Sequence, residues 1–198
     1  MSSPVRPDQL SNIYEECAKH ITSTFGEVAS YPVYWHVCGI GLVILLKILD
    51  DKSKQGGVLT IFCWNLIGVF LHELAHFIVG FVLFAKPVGF SLIPCRSEKQ
   101  WQLGSVTFKG LNAFNSLPTG LAPLGLIAVA YSLFTNWTLW FTPNLHSTIG
   151  AYFVLFILVY NSLPSRQDLK IAFSAGSIFV YGTTAFAAYM YYGHWIDF

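Results

Sequence analysis

Residues 58–85 read VLTIFCWNLIGVFLHELAHFIVGFVLFA, an apolar run whose one formal charge is Glu73. At about 1.5 Å of rise per residue, a helix of that length crosses a hydrocarbon layer about 30 Å thick. Inside it stands His72-Glu73-Leu74-Ala75-His76. Histidines at i and i+4 lie one turn apart on the same face, so their imidazoles can converge on one Zn2+, and the glutamate beside the first can polarise a metal-bound water. His72 falls near the middle of the run. Ionisable groups at that depth cost on the order of 2.5–3.5 kcal/mol on insertion scales. Mere packing contacts between helices are usually met by Ser, Thr or Asn instead.

The rest of the chain agrees with a membrane setting. Of 198 residues 54% are hydrophobic and 11% charged, where soluble domains carry about 25% charged residues. Seventeen Phe, ten Tyr and six Trp suit lipid-facing and headgroup positions. A net charge of +1 offers no basic field for phosphates, so nucleic acid is not an expected partner. Cys17, Cys38, Cys63 and Cys95 show no CxxC pairing, which argues against a disulfide framework.

Working outward from residues 58–85, the pattern predicts an all-α polytopic membrane protein with about five transmembrane helices and a small β-hairpin at the membrane edge. Residues 1–198 form one membrane-embedded domain, with an amphipathic N-terminal segment at 1–27 and a transmembrane core at 28–192. The first span is expected at Val28–Leu46 and the second at Val58–Ala85, with a polar loop, Asp50–Gly57, between them. Val88–Ile93 and Leu103–Phe108 read as two short strands. Gly110–Ser165 has no Asp, Glu, Lys or Arg and is too long for one crossing. It is divided into spans at about Phe114–Phe134 and His146–Leu163, with Pro118 and Pro123 interrupting the former. A last span is expected at Ile171–Tyr192.

Five alternating crossings put Arg6, Lys19, Lys86, Arg96, Lys99, Lys109, Arg166 and Lys170 on one side and Lys47, Lys52 and Lys54 on the other. That asymmetry predicts a multi-pass integral membrane protein with a cytoplasmic N-terminus.

A catalytic zinc site takes a third protein ligand and leaves a position for water. Asp168 is the candidate, because an irregular turn after Pro164 could fold it back toward His72. The other reading of Asp168 is a helix cap for the last span. Asn161 could donate a hydrogen bond to substrate or to a developing oxyanion, or serve as a packing amide. Asn112, Asn115, Thr119, Asn161 and Ser162 are candidates for lining a water path. His20, His36, His146 and His194 are scattered singly, too few for the roughly eight histidines that membrane di-iron enzymes use.

An HExxH helix in the membrane, an edge hairpin, and a later span ending in Asn161-Ser-Leu-Pro164 and then Asp168 resembles the site-2 protease family of intramembrane zinc metalloproteases, over roughly residues 58–170. The resemblance implies that His72, His76 and Asp168 bind Zn2+ and that Glu73 is the catalytic base. It implies a metalloendopeptidase that cuts membrane protein or peptide substrates in or near transmembrane segments. In this chain Leu169 follows the aspartate where the family usually has glycine, and the interval from Pro164 is four residues where the family has five. The expected form is a minimal, core-only member. An inactive scaffold or chaperone of the same fold, and a metal transporter, are the alternative functions.

Overall fold

The computed structural model describes residues 31–97 and 100–192, with residues 12, 15–19, 22, 23 and 26. The expected amphipathic segment at 1–27 lies mostly outside the described residues, and those of it that are described are helical.

Pro32 precedes α1, Val33–Ser53. This helix runs past the expected boundary at Leu46 because its charges are spaced to pair along it. Lys47 Nζ lies 3.0 Å from Asp51 Oδ1, and Lys54 Nζ reaches Asp50 Oδ2 at 2.8 Å and Asp51 Oδ1 at 2.9 Å. Hydrogen bonds from Lys54 to these carboxylates hold its ammonium above the ordinary lysine pKa. Pairs at three and four residues support a helix that a hydropathy boundary would end. The turn closes through Gly57, whose φ of +93° favours glycine. Then α2, Val58–Val82, begins.

Phe84 and Lys86 have φ of 57° and 52°, and this tight reversal folds the expected hairpin back along α2. Strand β1, Pro87–Ser91, pairs antiparallel with β4, Ser105–Phe108, in the register Phe90 to Val106 and Ser91 to Ser105. What reads as a polar turn contains a second ladder, β2 (Cys95–Ser97) with β3 (Gln100–Gln102). The Phe90 ring meets Phe70 and Phe77 of α2 edge-on, each at 6.1 Å.

The expected third span is broken. Short helix α3, Ser116–Gly120, and a 3-10 turn, Ala122–Leu124, precede α4, Gly125–Trp140. Helix α5, Leu145–Tyr160, starts from a capping box of Asn144 and Ser147. Leu126 and Ala130 of α4 pack with Leu158 of α5 to form the buried apolar core. The final apolar stretch is bent by 59° between α6, Arg166–Ala172, and α7, Ala175–Tyr192.

By length and composition α1 and α2 can cross a membrane, and the bent α6–α7 pair can count as a third span. Large apolar side chains such as Ile40, Ile67, Phe81 and Phe179 face outward, while Asp50, Glu73, His76, Asn115 and Thr119 are buried. That distribution suits a hydrocarbon surround. The cysteines are unpaired and exposed.

The five strictly alternating crossings need correction. Helices α1 and α5 pack side by side with His36 and Gly39 against Tyr152 at one end, and Lys47, Asp50 and Lys54 around Tyr160 at the other. Contacts that advance together in both helices make the pair parallel, whereas a first and a fourth alternating crossing are antiparallel. The chain between α2 and α5 therefore starts and finishes at one end of the bundle. Arg166 and Lys170 line one cavity with Trp101 and Gln102 of the hairpin, whereas Lys47 and Lys54 surround Tyr160. With strict alternation lost, the count of positive charges along the chain no longer selects a cytoplasmic side.

A parallel α1–α5 pair predicts that the first halves of both helices lie together. In a cysteine-free background, Gly39→Cys and Tyr152→Cys should form a disulfide on mild oxidation. Gly39→Cys joining instead to Tyr160→Cys would contradict the parallel arrangement.

Candidate metal centre

The site grows from helix geometry on α2 and from three chain breaks that meet it. His72 and His76 project from successive turns, with Nε2 atoms 3.3 Å apart. Each ring is held from behind. His72 Nδ1–H donates to the Asn161 carbonyl at 2.8 Å, and His76 Nδ1–H donates to the Thr119 carbonyl at 2.7 Å. Both carbonyls are free for local reasons. Thr119 has Pro123 four residues on, which has no N–H to return. Asn161 caps the end of α5, where carbonyls lack helical partners.

Asp168 comes from the first turn of α6. Ser165 is the N-cap there, and a capping box links the two residues. Ser165 N–H donates to Asp168 Oδ2 at 2.6 Å, and Asp168 N–H donates to Ser165 Oγ at 3.2 Å. The N-cap is therefore Ser165 rather than Asp168, whose carboxylate closes the capping box from the third helical position. The cap aims the carboxylate, placing Oδ2 3.3 Å from His72 Nε2 and Oδ1 3.2 Å from His76 Nε2. Helix α6 can approach because Gly120 has no side chain. A Cβ there would stand 2.6 Å from the Asp168 carbonyl and 2.8 Å from Ala172.

The residues fit a zinc ion. With Nδ1 protonated and engaged, each Nε2 presents a lone pair, and a carboxylate faces both, so three acceptors converge on one point. Such a cluster needs a cation or an added proton. Ligand atoms about 2.0–2.1 Å from a tetrahedral zinc stand roughly 3.3–3.4 Å apart, close to the separations here. All three ligand atoms lie within 4.8 Å of one another. Carbonyl bonds to the distal ring nitrogens set the tautomer and orientation of metal-binding histidines.

Glu73 is 9% exposed. It lines, with His72, His76 and Asp168, a cavity of about 1380 Å3 that also takes in Gly104, Ser105 and Val106 of the hairpin. A Cβ at Gly104 would stand 2.7 Å from Glu73 Cγ and 3.0 Å from its Oε1, so the turn leading into β4 is pressed against the glutamate.

Asn161 sits at the cavity wall, but its side-chain Nδ2 donates to the Ile157 carbonyl at 2.9 Å, and its amide fills the space left by Gly68. The atom aimed at the site is its backbone oxygen. Of the polar residues expected along a water path, Thr119 and Asn161 line the cavity. Asn112 and Asn115 bind the turn before α3, with Asn115 Nδ2 donating to Gly110 and Leu83. Ser162 returns its hydroxyl to Val159. The carbonyl acceptors were missed from sequence, although a proline four residues after Thr119 is a usable sign of a freed carbonyl.

No protein-family profile, no curated protein and no solved structure matches this chain.

Because α6 approaches through Gly120, Gly120→Val should push Asp168 away. Zinc analysis of purified protein should give about one ion per chain for the wild type, a large loss for His76→Ala, and at least tenfold weaker binding for Gly120→Val. Unchanged binding in Gly120→Val would show that the carboxylate is not held by this contact.

Proposed function

We propose that the protein is a polytopic, membrane-embedded zinc metalloendopeptidase of the site-2 protease type, hydrolysing peptide bonds in or near transmembrane segments. The observation that carries this reading is the convergence of His72, His76 and Asp168 in the cavity that also receives Glu73. In this reading α1, α2, α5 and the bent α6–α7 pair cross the bilayer. The α3–α4 stretch enters and returns at the end where the hairpin lies.

Zinc bound there supplies Lewis acidity, bringing the pKa of water toward neutrality and polarising a peptide carbonyl. His72 and His76 contribute neutral Nε2 lone pairs and keep their protons on the carbonyl-bound Nδ1 atoms. Asp168 supplies the one anionic ligand, steadied by the Ser165 N–H. Glu73 stands on the next position of the same helix, where it can take a proton from the attacking water and return it to the leaving amine. Its closeness to Gly104 limits the rotamers that carboxylate can adopt.

The hairpin provides a means of presenting substrate. Strand β4 pairs with β1 on one side only among the described residues, and Ser105, Val106 and Phe108 face the cavity. An extended peptide can add to such an edge through main-chain hydrogen bonds. A helical substrate hides its carbonyls in its own backbone, so it must unwind before reaching the site. The side chain of Asn161 is occupied within α5, which leaves its carbonyl, as a support for His72, as the role its geometry favours.

Glu73→Gln tests the reading. Against a panel of quenched fluorescent peptides spanning transmembrane sequences, in detergent, wild-type cleavage should be stopped by a zinc chelator and restored by zinc. Glu73→Gln should lose about 10²–10⁴ in rate while keeping its zinc. Gly104→Val should lower kcat in the same direction, with zinc again retained. A wild-type protein that binds zinc and cleaves none of the peptides, with a cellular phenotype that survives Glu73→Gln, would favour a non-catalytic scaffold.

A further inference from the structure

The polar cluster where α1, α2 and α5 meet has no part in the chemistry described so far. Asp50 is 1% exposed. Its Oδ2 receives the Tyr160 hydroxyl at 2.6 Å and Lys54 Nζ at 2.8 Å, with Lys47 Nζ at 3.5 Å, and Asn65 Nδ2 approaches Oδ1 at 3.4 Å. Burying a carboxylate and its partners is costly, and apolar side chains of similar volume often hold helices together as well or better. A buried polar network is better suited to specifying one arrangement than to adding stability.

Here the arrangement specified is the support of His72. Tyr160 is the last residue of α5, and the next residue, Asn161, offers the carbonyl that accepts His72 Nδ1–H. On α2, Asn65 stands one turn before Gly68, whose missing side chain admits the Asn161 amide, and His72 follows one turn later. Asp50 is therefore tied to the donor side of the His72–Asn161 bond through Asn65 and to the acceptor side through Tyr160. We infer that Asp50, acting through the Tyr160 hydroxyl, is a positioning residue for the metal centre, holding the final turn of α5 so that the Asn161 carbonyl meets His72. The inference rests on the reading of the site as a zinc centre. Supporting groups of this kind matter because a ligand ring left free to turn loses affinity even when every ligand is present.

The same helix pair contains an internal control. Near the other end of the α1–α5 contact, the Tyr152 hydroxyl and His36 Nδ1 are bonded at 3.0 Å. Tyr160→Phe and Tyr152→Phe each remove one hydroxyl from one interface, and only the first lies next to the site. The measurement is zinc affinity of the detergent-purified full chain, by competition with a chromophoric chelator, together with the visible spectrum of the Co2+-loaded protein and the thermal midpoint.

Tyr160→Phe should weaken zinc binding about tenfold and shift the Co2+ bands, while Tyr152→Phe should stay within about twofold of wild type, since losing a group that orients a metal-binding histidine costs about 10–100-fold. Equal effects of the two variants on zinc, or a Tyr160→Phe protein with a lower thermal midpoint and unchanged zinc affinity, would reduce the cluster to helix packing and overturn the inference. If Tyr160→Phe does not fold, Asp50→Asn is read in its place. A loss of about threefold or more supports the inference and an unchanged affinity overturns it. A wild-type chain that takes up no zinc defeats the metal reading itself, and the inference with it. Wild-type zinc binding that both variants leave untouched defeats only the positioning role.

Discussion

Two hydrogen bonds from histidine Nδ1–H groups to backbone carbonyls give the centre of this protein its chemistry. They leave two bare Nε2 lone pairs facing a carboxylate, an arrangement that is repulsive without a positive charge among its members. Each depends on a carbonyl that the helix has given up. Pro123 cannot return an N–H to Thr119, and α5 stops before one could return to Asn161. Interruptions that would weaken an ordinary membrane helix are here the source of the acceptors, in keeping with the rule that irregular backbone at membrane depth persists where other groups satisfy it.

Around these bonds the chain is arranged with polar groups inward. Asp50, Glu73, His76 and Thr119 are buried while isoleucines, phenylalanines and valines cover the outside. Glycines set the closest approaches. Gly68 admits Asn161, Gly104 meets Glu73, and Gly120 lets α6 bring Asp168 to the histidines. In hydrocarbon, helices associate through close packing and polar contacts rather than through exclusion of water, so these positions determine which helices can meet at the site.

Much of this was legible in the order of the residues. Helix α2 and its histidine pair followed from an apolar run long enough to cross and from the four-residue spacing. The hairpin followed from two short alternating stretches, though its inner ladder did not, because Cys95–Gln102 lacks the apolar alternation that marks a strand. The end of α1 was misplaced by a hydropathy boundary, since Lys47, Asp50, Asp51 and Lys54 satisfy one another along the helix. Asp168 was legible as a ligand or as a cap; the N-cap is Ser165, and the capping box it forms with Asp168 turns that carboxylate toward His72 and His76.

By itself the sequence determined which atoms share a helix face, because a fixed rise and turn leave His72, Glu73 and His76 no other relation. It determined equally that residues 58–85 form an apolar run long enough to cross a membrane. Only the tertiary structure decided that Asp168 reaches those histidines, that backbone oxygens hold them, and that α1 and α5 run parallel, against the expectation of five alternating crossings. The reason is physical: side-chain periodicity is local and residue-specific, whereas a carbonyl is the same in every residue and a helix's partner is chosen by packing. The shape of Gly68, Gly120 and their neighbours governs that choice, and it has no period to be read along the chain.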